Sequence, residues 1–410
     1  MRVVFVDMLF SWPPNGGADV DLYHVAEGLV QAGHEVKLIA VHVEGSTERG
    51  LIGDPQSLPF EVETLVFTPA QYRLPRITAL IHNAVAKSRP GIVFVQHGYA
   101  VKPYVLLALK EFRPISRYYA HEFFCARDSF RYRDGAPCPR NFWETPGTCR
   151  RCAFDAHQHA ISAWNFRSWT QDYLAAEAYR PAYHADFKAS LPCVSSVLVY
   201  NSRIQRELAQ WHPDVRIVPS GVDPDRVAEV EKTASNTAPQ RILMTGRAED
   251  PLKGLSVLLQ AGAQLAAHRN DFLIQATHFD QTLSNGWFEA TGWLTHEETL
   301  ARYSQARICV VPSVWEEPFG IVALEAMAAR LPVVASRVGG LQDIVVEGEC
   351  GHLFDPGDAH ALAQVLEALL DAPDRCAALG NAGRQRVLAE YTWPRLIEKH
   401  YLTLLEQPTR

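Results

Sequence analysis

Short apolar runs alternate along this chain with longer segments of helical periodicity, and glycine- and proline-bearing turns separate them. Residues 3–7 read as a strand. The following segment, 11–19, is polar and carries Gly16 and Gly17. Residues 20–31 place apolar side chains at helical spacing and end at Gly33, a residue suited to the turn that closes a helix. Residues 34–41 read as the next strand. Strand, glycine loop, helix and strand in that order predict a βαβ unit of a parallel sheet. Strand-like runs recur at 60–66, 91–96, 117–120 and 197–200, and a helix opens at Asn201-Ser202. A short strand at 216–218 runs into Pro219-Ser220-Gly221. The polar stretch 235–240 then reads as loop. The βα rhythm restarts with strands at 241–245, 272–276, 287–291, 308–311, 332–335 and 352–354. Helices alternate with these, beginning with 255–267 and continuing as far as residue 389. In 393–405, Leu396, Ile397, Tyr401 and Leu404 form a last apolar stripe at helical spacing.

A chain of 410 residues exceeds one hydrophobic core, so two domains are expected. The hydrophobic fraction of 47% and charged fraction of 21% are ordinary for a soluble globular protein. A net charge of −7 argues against nucleic acid as a partner. No apolar run reaches the roughly 18 residues of a membrane span. The first apolar run is too short for a secretion signal, so a cytoplasmic location is expected. The aromatic-rich segment 153–191, with Trp164, Trp169, Tyr173 and Tyr179, reads mainly as packing and leaves peripheral membrane contact open.

Four cysteines, Cys193, Cys309, Cys350 and Cys376, are scattered singly and read as small buried hydrophobes. The other four, Cys125, Cys138, Cys149 and Cys152, interrupt the α/β rhythm with the spacing C-x12-C-x10-C-x2-C. Such a set suits a structural Zn2+, an iron–sulfur cluster or plain thiols. Its role reads as structural, since four thiolates leave zinc no open position.

The most informative stretch is 310–325. An apolar strand runs into a polar turn, and a helix is expected to open at Pro318, where a missing N–H costs nothing. Free backbone N–H groups at a helix start favour an anion such as a diphosphate. Glu317 lies in the turn and Glu325 on the second helical turn. Gly246, Arg247 and Lys253 follow the strand at 241–245, and Arg247 with Lys253 forms an anion-binding pair. In the first half, His97 and His121 each follow a strand, where ligands of parallel sheets bind. The loop at Gly16-Gly17 lacks the G-x-G-x-x-G dinucleotide fingerprint.

Gly246-Arg247 through Lys253-Gly254, the E-x7-E run from Glu317 through Pro318, Phe319, Gly320 and Ile321 to Glu325, the strand at 332–335 and Gly339-Gly340 together resemble the retaining glycosyltransferases of family four. Gly16-Gly17 and the turn at 218–223 add to the match, which spans nearly the whole chain and is strongest over 241–360. The resemblance implies an α/β GT-B fold of two Rossmann-like domains with parallel sheets facing a cleft. Residues 1–222 would bind the acceptor, with the cysteine-bearing insertion at 125–152. Residues 223–390 would bind a nucleotide-sugar donor, and 391–410 would form a helix returning to the first domain. It also implies that Arg247 and Lys253 hold the donor diphosphate and that Glu317 contacts sugar hydroxyls beside the Phe319, Gly320 and Ile321 backbone. Glu325 would bind ribose, with Gly17 close to the diphosphate and His121 approaching the donor sugar. Trp293 and Leu294 fall loosely where the family contacts the base. Glu122 departs from the family's His-Asp pair, and a subset of the family carries a similar cysteine insertion.

The expected reaction moves a sugar, with retention, from a UDP-sugar (GDP is the other donor) to a hydroxyl of a glycan, lipid-linked or small-molecule acceptor. No Asp-x-Asp element is placed to hold a catalytic cation, so metal-independent chemistry without a required cofactor is expected. Arg247, Lys253 and the helix start would stabilise the leaving diphosphate. A nucleotide-sugar epimerase and a non-catalytic nucleotide-sugar-binding protein are the competing classes on the same fold.

Overall fold

The structure is a computed structural model that describes residues 1–45, 50–128, 130–162, 176–223 and 239–406. Trp164, Trp169, Tyr173 and most of the polar stretch before residue 240 lie outside the described residues. The chain divides into two compact units. One comprises residues 1–131, 138–218 and 397–410, the other 132–137 and 219–396.

In the first unit the strands are β1 (Arg2–Asp7), β2 (Glu35–Val43), β3 (Glu61–Phe67), β4 (Ile92–Val95) and β5 (Ile115–Arg117). A small antiparallel hairpin, β6 (Tyr132–Arg133) with β7 (Ala136–Pro137), follows in the chain but is counted with the other unit, and the first unit's strands resume with β8 (Ser196–Val199) and β9 (Val215–Ile217). Among the described residues they form a seven-stranded parallel sheet in the order β3-β2-β1-β4-β5-β8-β9. β1, β4 and β8 are almost wholly buried, as expected for parallel strands covered by helices on both faces. The helix Gly17–Gln31 begins three residues earlier than its apolar pattern suggests, with Gly16 as its cap. β5 ends at Arg117 rather than at residue 120. Beyond it the chain turns, and the Glu122 carboxylate takes the Ala120 N–H at 3.0 Å in place of a strand partner.

In the second unit β10 (Gln240–Met244), β11 (Phe272–Ala276), β12 (Phe288–Ala290), β13 (Ile308–Val311), β14 (Val333–Ser336) and β15 (Gly351–Phe354) are all parallel. Their order is β12-β11-β10-β13-β14-β15. Both sheets reverse direction beside their first strand, between β1 and β4 and between β10 and β13. Loops diverge at such a reversal and open a crevice beyond the carboxyl ends of the strands, the usual ligand position in open α/β sheets.

The last helical segment is not continuous. An α-turn at Trp393–Leu396 gives way to a π-helical stretch, Ile397–Leu402, and then to Thr403–Glu406. Ile397 and Tyr401 are buried and lie in the first unit, where Ile397 packs on Gly28 with no room for a side chain there. Tyr401 meets Phe94, their ring centres 6.2 Å apart. Among the described residues no helix is long and apolar enough to cross a membrane.

Candidate active site

The segment leaving β13 is shaped by backbone. Val311 is buried, and the chain then descends through Pro312 to Gly320 before the helix Ile321–Ala328 starts. The helix therefore opens three residues later than the proline suggests. Gly320 adopts φ +112°, a left-handed turn that cannot continue a helix backward, so Pro318 and Phe319 stay in the loop. Three glycines hold this loop by having no side chain. A Cβ on Gly254 would lie 1.9 Å from the Pro312 oxygen, one on Gly339 2.0 Å from the Glu317 oxygen, and one on Gly340 2.6 Å from the Pro318 oxygen. The loop is also pinned by Val314 N–H to Leu252 O and by Gly340 N–H to Glu317 O.

Glu317 is the hub. One carboxylate oxygen, Oε2, accepts from Lys253 Nζ at 2.8 Å, Ser313 Oγ at 3.0 Å and Trp315 Nε1 at 3.1 Å. Three donors on one oxygen fix the side chain and hold Lys253 at the loop. Trp315, buried, also offers its ring face to the Lys253 ammonium at 5.5 Å. Glu316 is the residue that sequence reasoning missed. It is buried and accepts the Gly339 N–H at 3.0 Å, tying the loop after β14 to the loop after β13. The Glu316-Glu317 doublet was visible, but nothing in it says which carboxylate turns inward.

Arg247 follows β10 and Gly246, which takes φ +96°. It is exposed and makes no ion pair among the described residues. Arg247 and Lys253 thus leave the same side of the sheet as Glu317, one held by a carboxylate and the other open. The N–H groups at the start of the helix at Ile321 complete a set of donors suited to an anion.

Glu325 sits below, on the second turn of that helix. Its Oε2 accepts from Tyr303 Oη at 3.3 Å, and Tyr303 Oη is also 2.8 Å from Thr245 Oγ1. Burial pushes the carboxyl up to about 7, and the tyrosine hydrogen bond only partly opposes this. The native state therefore holds a proton that the unfolded chain, with its ordinary carboxyl, has lost. Stability from this group is complete below about pH 4.5 and falls as pH rises to about 7. Glu325→Gln is expected to match the parent near pH 4.5 and to be more stable at pH 8 by about 1–3 kcal/mol. Urea unfolding at the two pH values checks this; equal midpoint differences at both would refute it.

Trp293 and Phe279 follow β12 and β11. Both are more than half exposed, and their rings stack at 6.0 Å and 14°. Leu294 beside them is partly buried. Phe279 is a second residue that sequence reasoning missed, because only the pairing of β11 with β12 brings the two rings together.

In the first unit, Gly17 is the first residue of its helix and is exposed. His121 lies in the turn after β5 and is buried; its carbonyl accepts the N–H groups of Phe124 and Cys125. Lys102, fully buried, donates to the Arg117 carbonyl and lies 3.9 Å from Glu122. Burial pulls its ammonium down to about 8 against the opposing pull of Glu122. Glu122 thus organises the turn that carries His121.

All eight cysteines are outside disulfides. Burial, helped by Asp128, pushes the Cys125 thiol up to about 12, and its sulfur lies 3.8 Å from Asp128 Oδ1. Cys149, one helical turn before Cys152, is 3.6 Å from Thr145 Oγ1. Among the described residues no three His, Cys, Asp or Glu side chains stand together as a metal-binding group.

Residues 239–372 match the family model described as glycosyl transferases group 1. The chain is 34% identical over 204 residues to an MMP alpha-(1->4)-mannosyltransferase of Mycolicibacterium hassiacum, covering 47% of this chain and 48% of that protein. That alignment spans about half the length of the mannosyltransferase. It is 26% identical over 410 residues to a glycogen synthase of Mycobacterium tuberculosis, covering 96% and 92%. Among solved structures, sucrose-phosphate synthase from Thermosynechococcus elongatus is similar with a TM-score of 0.64, 21% identity and coverage of 98% and 99%. Anabaena HepE, solved with UDP and glucose, has a TM-score of 0.64, 15% identity and coverage of 99% and 100%. The chain therefore has the two Rossmann-like domains of the GT-B fold, and residues 239–372 are similar to the group 1 glycosyl transferases.

Proposed function

We propose that the protein is a retaining glycosyltransferase that moves a sugar from a UDP-sugar to an acceptor hydroxyl. The observation that carries this reading is the Lys253–Glu317 pair at 2.8 Å, set beside the helix start at Ile321 and the open Arg247. Breaking the sugar–phosphate bond leaves negative charge on the departing diphosphate. Lys253, Arg247 and the helix N–H groups are fixed donors for that charge and need no reorganisation as it develops. With these cations in place the reaction is proposed to run without a catalytic metal ion or other cofactor. Glu317, held on one oxygen, is left to accept from hydroxyls of the sugar. Glu325 accepts from the ribose, and Trp293 with Phe279 lies toward the base. The roles proposed for Gly17, beside the diphosphate, and His121, toward the donor sugar, rest on the family resemblance. Retention would follow from attack on the face that the diphosphate leaves, the leaving phosphate taking the hydroxyl proton. The acceptor is a glycan, a lipid-linked precursor or a small molecule bearing a free hydroxyl.

The test is UDP release from UDP-glucose, UDP-galactose and UDP-N-acetylglucosamine, with and without a panel of alcohol acceptors and with EDTA present. Release that depends on acceptor and survives EDTA is expected. An epimerised donor, or binding without turnover of any donor in the presence of any acceptor, would overturn the reading. Because ribose hydroxyls donate best to an ionised carboxylate, UDP affinity is expected to rise with pH through about 7 as Glu325 ionises. Calorimetric titration of UDP at pH 6 and pH 8 measures this, and a pH-independent affinity would remove Glu325 from the ribose.

A further inference from the structure

We propose that Asp7 and His97 form a hydroxyl-binding dyad in the first unit and that a polyol acceptor docks on His97 Nε2. This rests on the transferase reading above and names the acceptor side of it.

Asp7 ends β1, and His97 follows β4 by two residues. The two strands are neighbours at the point where the sheet order reverses. The pair therefore occupies, in the first sheet, the place that Arg247 and Glu317 occupy in the second. Asp7 is fully buried, and each of its oxygens is engaged. Oδ1 accepts the Leu9 N–H at 2.8 Å, while Oδ2 takes both the His97 N–H and the His97 ring nitrogen Nδ1, each at 3.2 Å. A carboxylate at Nδ1 keeps the proton on that nitrogen and leaves Nε2 as a hydrogen-bond acceptor. Among the described residues Nε2 takes no hydrogen bond, although His97 keeps only 7% of its surface. The ring cannot swing away, since it stacks on Tyr119 at 4.3 Å, and the Tyr119 hydroxyl is in turn held by Gln96 at 2.7 Å.

The surroundings keep the dyad in place and add a second carboxylate. Asp19, buried on the helix Gly17–Gln31, accepts the N–H groups of Ser11 and Asn15 and so folds the loop after Asp7. Burial lifts the Asp19 carboxyl above its ordinary value, His97 draws it down and Asp7 lifts it further, which places all three groups within electrostatic reach. Although the residue is largely buried, Nε2 is not one of the polar atoms sealed from solvent without a partner, so this acceptor stays within reach of solvent. It becomes useful where an incoming hydroxyl supplies the missing donor. One fixed acceptor in polar surroundings suits a hydroxyl of a sugar or cyclitol better than an amine, whose ammonium would seek the carboxylates.

The experiment uses the full chain, with UDP as the donor-side probe and maltose, myo-inositol and glycerol as acceptor-side probes. The readout is the 15N shift of His97 Nε2 in histidine-labelled protein, with affinities from its titration. Wild type is expected to show an unprotonated Nε2 whose signal moves with at least one polyol. His97→Asn is expected to weaken that polyol about tenfold or more while UDP affinity stays within about twofold. Asp7→Asn is expected to shift the ring toward the other tautomer and to weaken the polyol similarly. The proposal is overturned if none of the three polyols moves the signal, if Nε2 carries the proton, or if His97→Asn binds the polyol as well as wild type. It is also overturned if polyol and UDP binding fall together, since that reports a structural role. Failure of UDP to bind wild type would instead count against the transferase reading and leaves the polyol titration to decide on the dyad.

Discussion

Lys253→Ala is expected to lower turnover by about 100- to 1,000-fold, the loss typical of removing one fixed stabiliser of a developing anion. The variant should stay folded, because Lys253 keeps a quarter of its side chain exposed. Glu317→Ala is expected to lose as much by a different route. It removes the acceptor shared by Lys253, Ser313 and Trp315, so the ammonium is no longer held by this carboxylate and the Trp315 N–H, on a buried residue, loses the Glu317 oxygen. Since both changes break one unit, the double variant should be little worse than either single one. Steady-state kinetics with the best UDP-sugar measures all three. Near-normal turnover in either single variant, or losses that multiply in the double variant, would remove this pair from the proposed mechanism.

Gly339→Ala is expected to give a large loss of stability. Gly339 takes φ +44°, a region that costs other residues about 1–2 kcal/mol. Its new methyl would lie 2.0 Å from the Glu317 oxygen, so the site loop must move away. A fall of about 3 kcal/mol or more follows, which for the unit that holds Gly339, of the order of 180 residues, is roughly 6–12 °C in Tm. Gly357→Ala is the control. Gly357 has φ +85° but no atom within 4 Å of the added carbon, so only the backbone term applies and the loss should stay near 1 kcal/mol. Scanning calorimetry of both variants checks the contrast, and equal losses would show that the clash with the Glu317 loop is relieved without cost.

The apolar pattern alone was enough to find the strands of both sheets, most within two residues of their ends. Parallel strands are buried on both faces, so their sequences are short apolar runs that polar turns make easy to see. The glycine positions and the spacing of Arg247, Lys253, Glu317 and Glu325 were likewise legible, because those residues must follow particular strands to meet. The points that went astray share a cause. The helix at Ile321 starts after Gly320, and β5 stops at Arg117, because both boundaries are set by contacts from distant loops. Gly320 packs beside Leu341, and the turn after Arg117 is held by Lys102 and Glu122. The π-helical stretch at Ile397–Leu402 arises where a local apolar stripe must fit Gly28 and Phe94. A helical stripe in sequence cannot report such a fit.

The sequence by itself determined the α/β class, the two-sheet organisation and the residues proposed to bind a diphosphate, since periodicity and residue chemistry are local properties. Tertiary structure decided what those residues do to one another. It gave Lys253 to Glu317, turned Glu316 inward to Gly339, stacked Phe279 on Trp293 and set Asp7 against His97 across 90 residues of chain. Each of these depends on which strands become neighbours. Strand order is fixed by the burial of the whole sheet, and no short stretch of the sequence carries it.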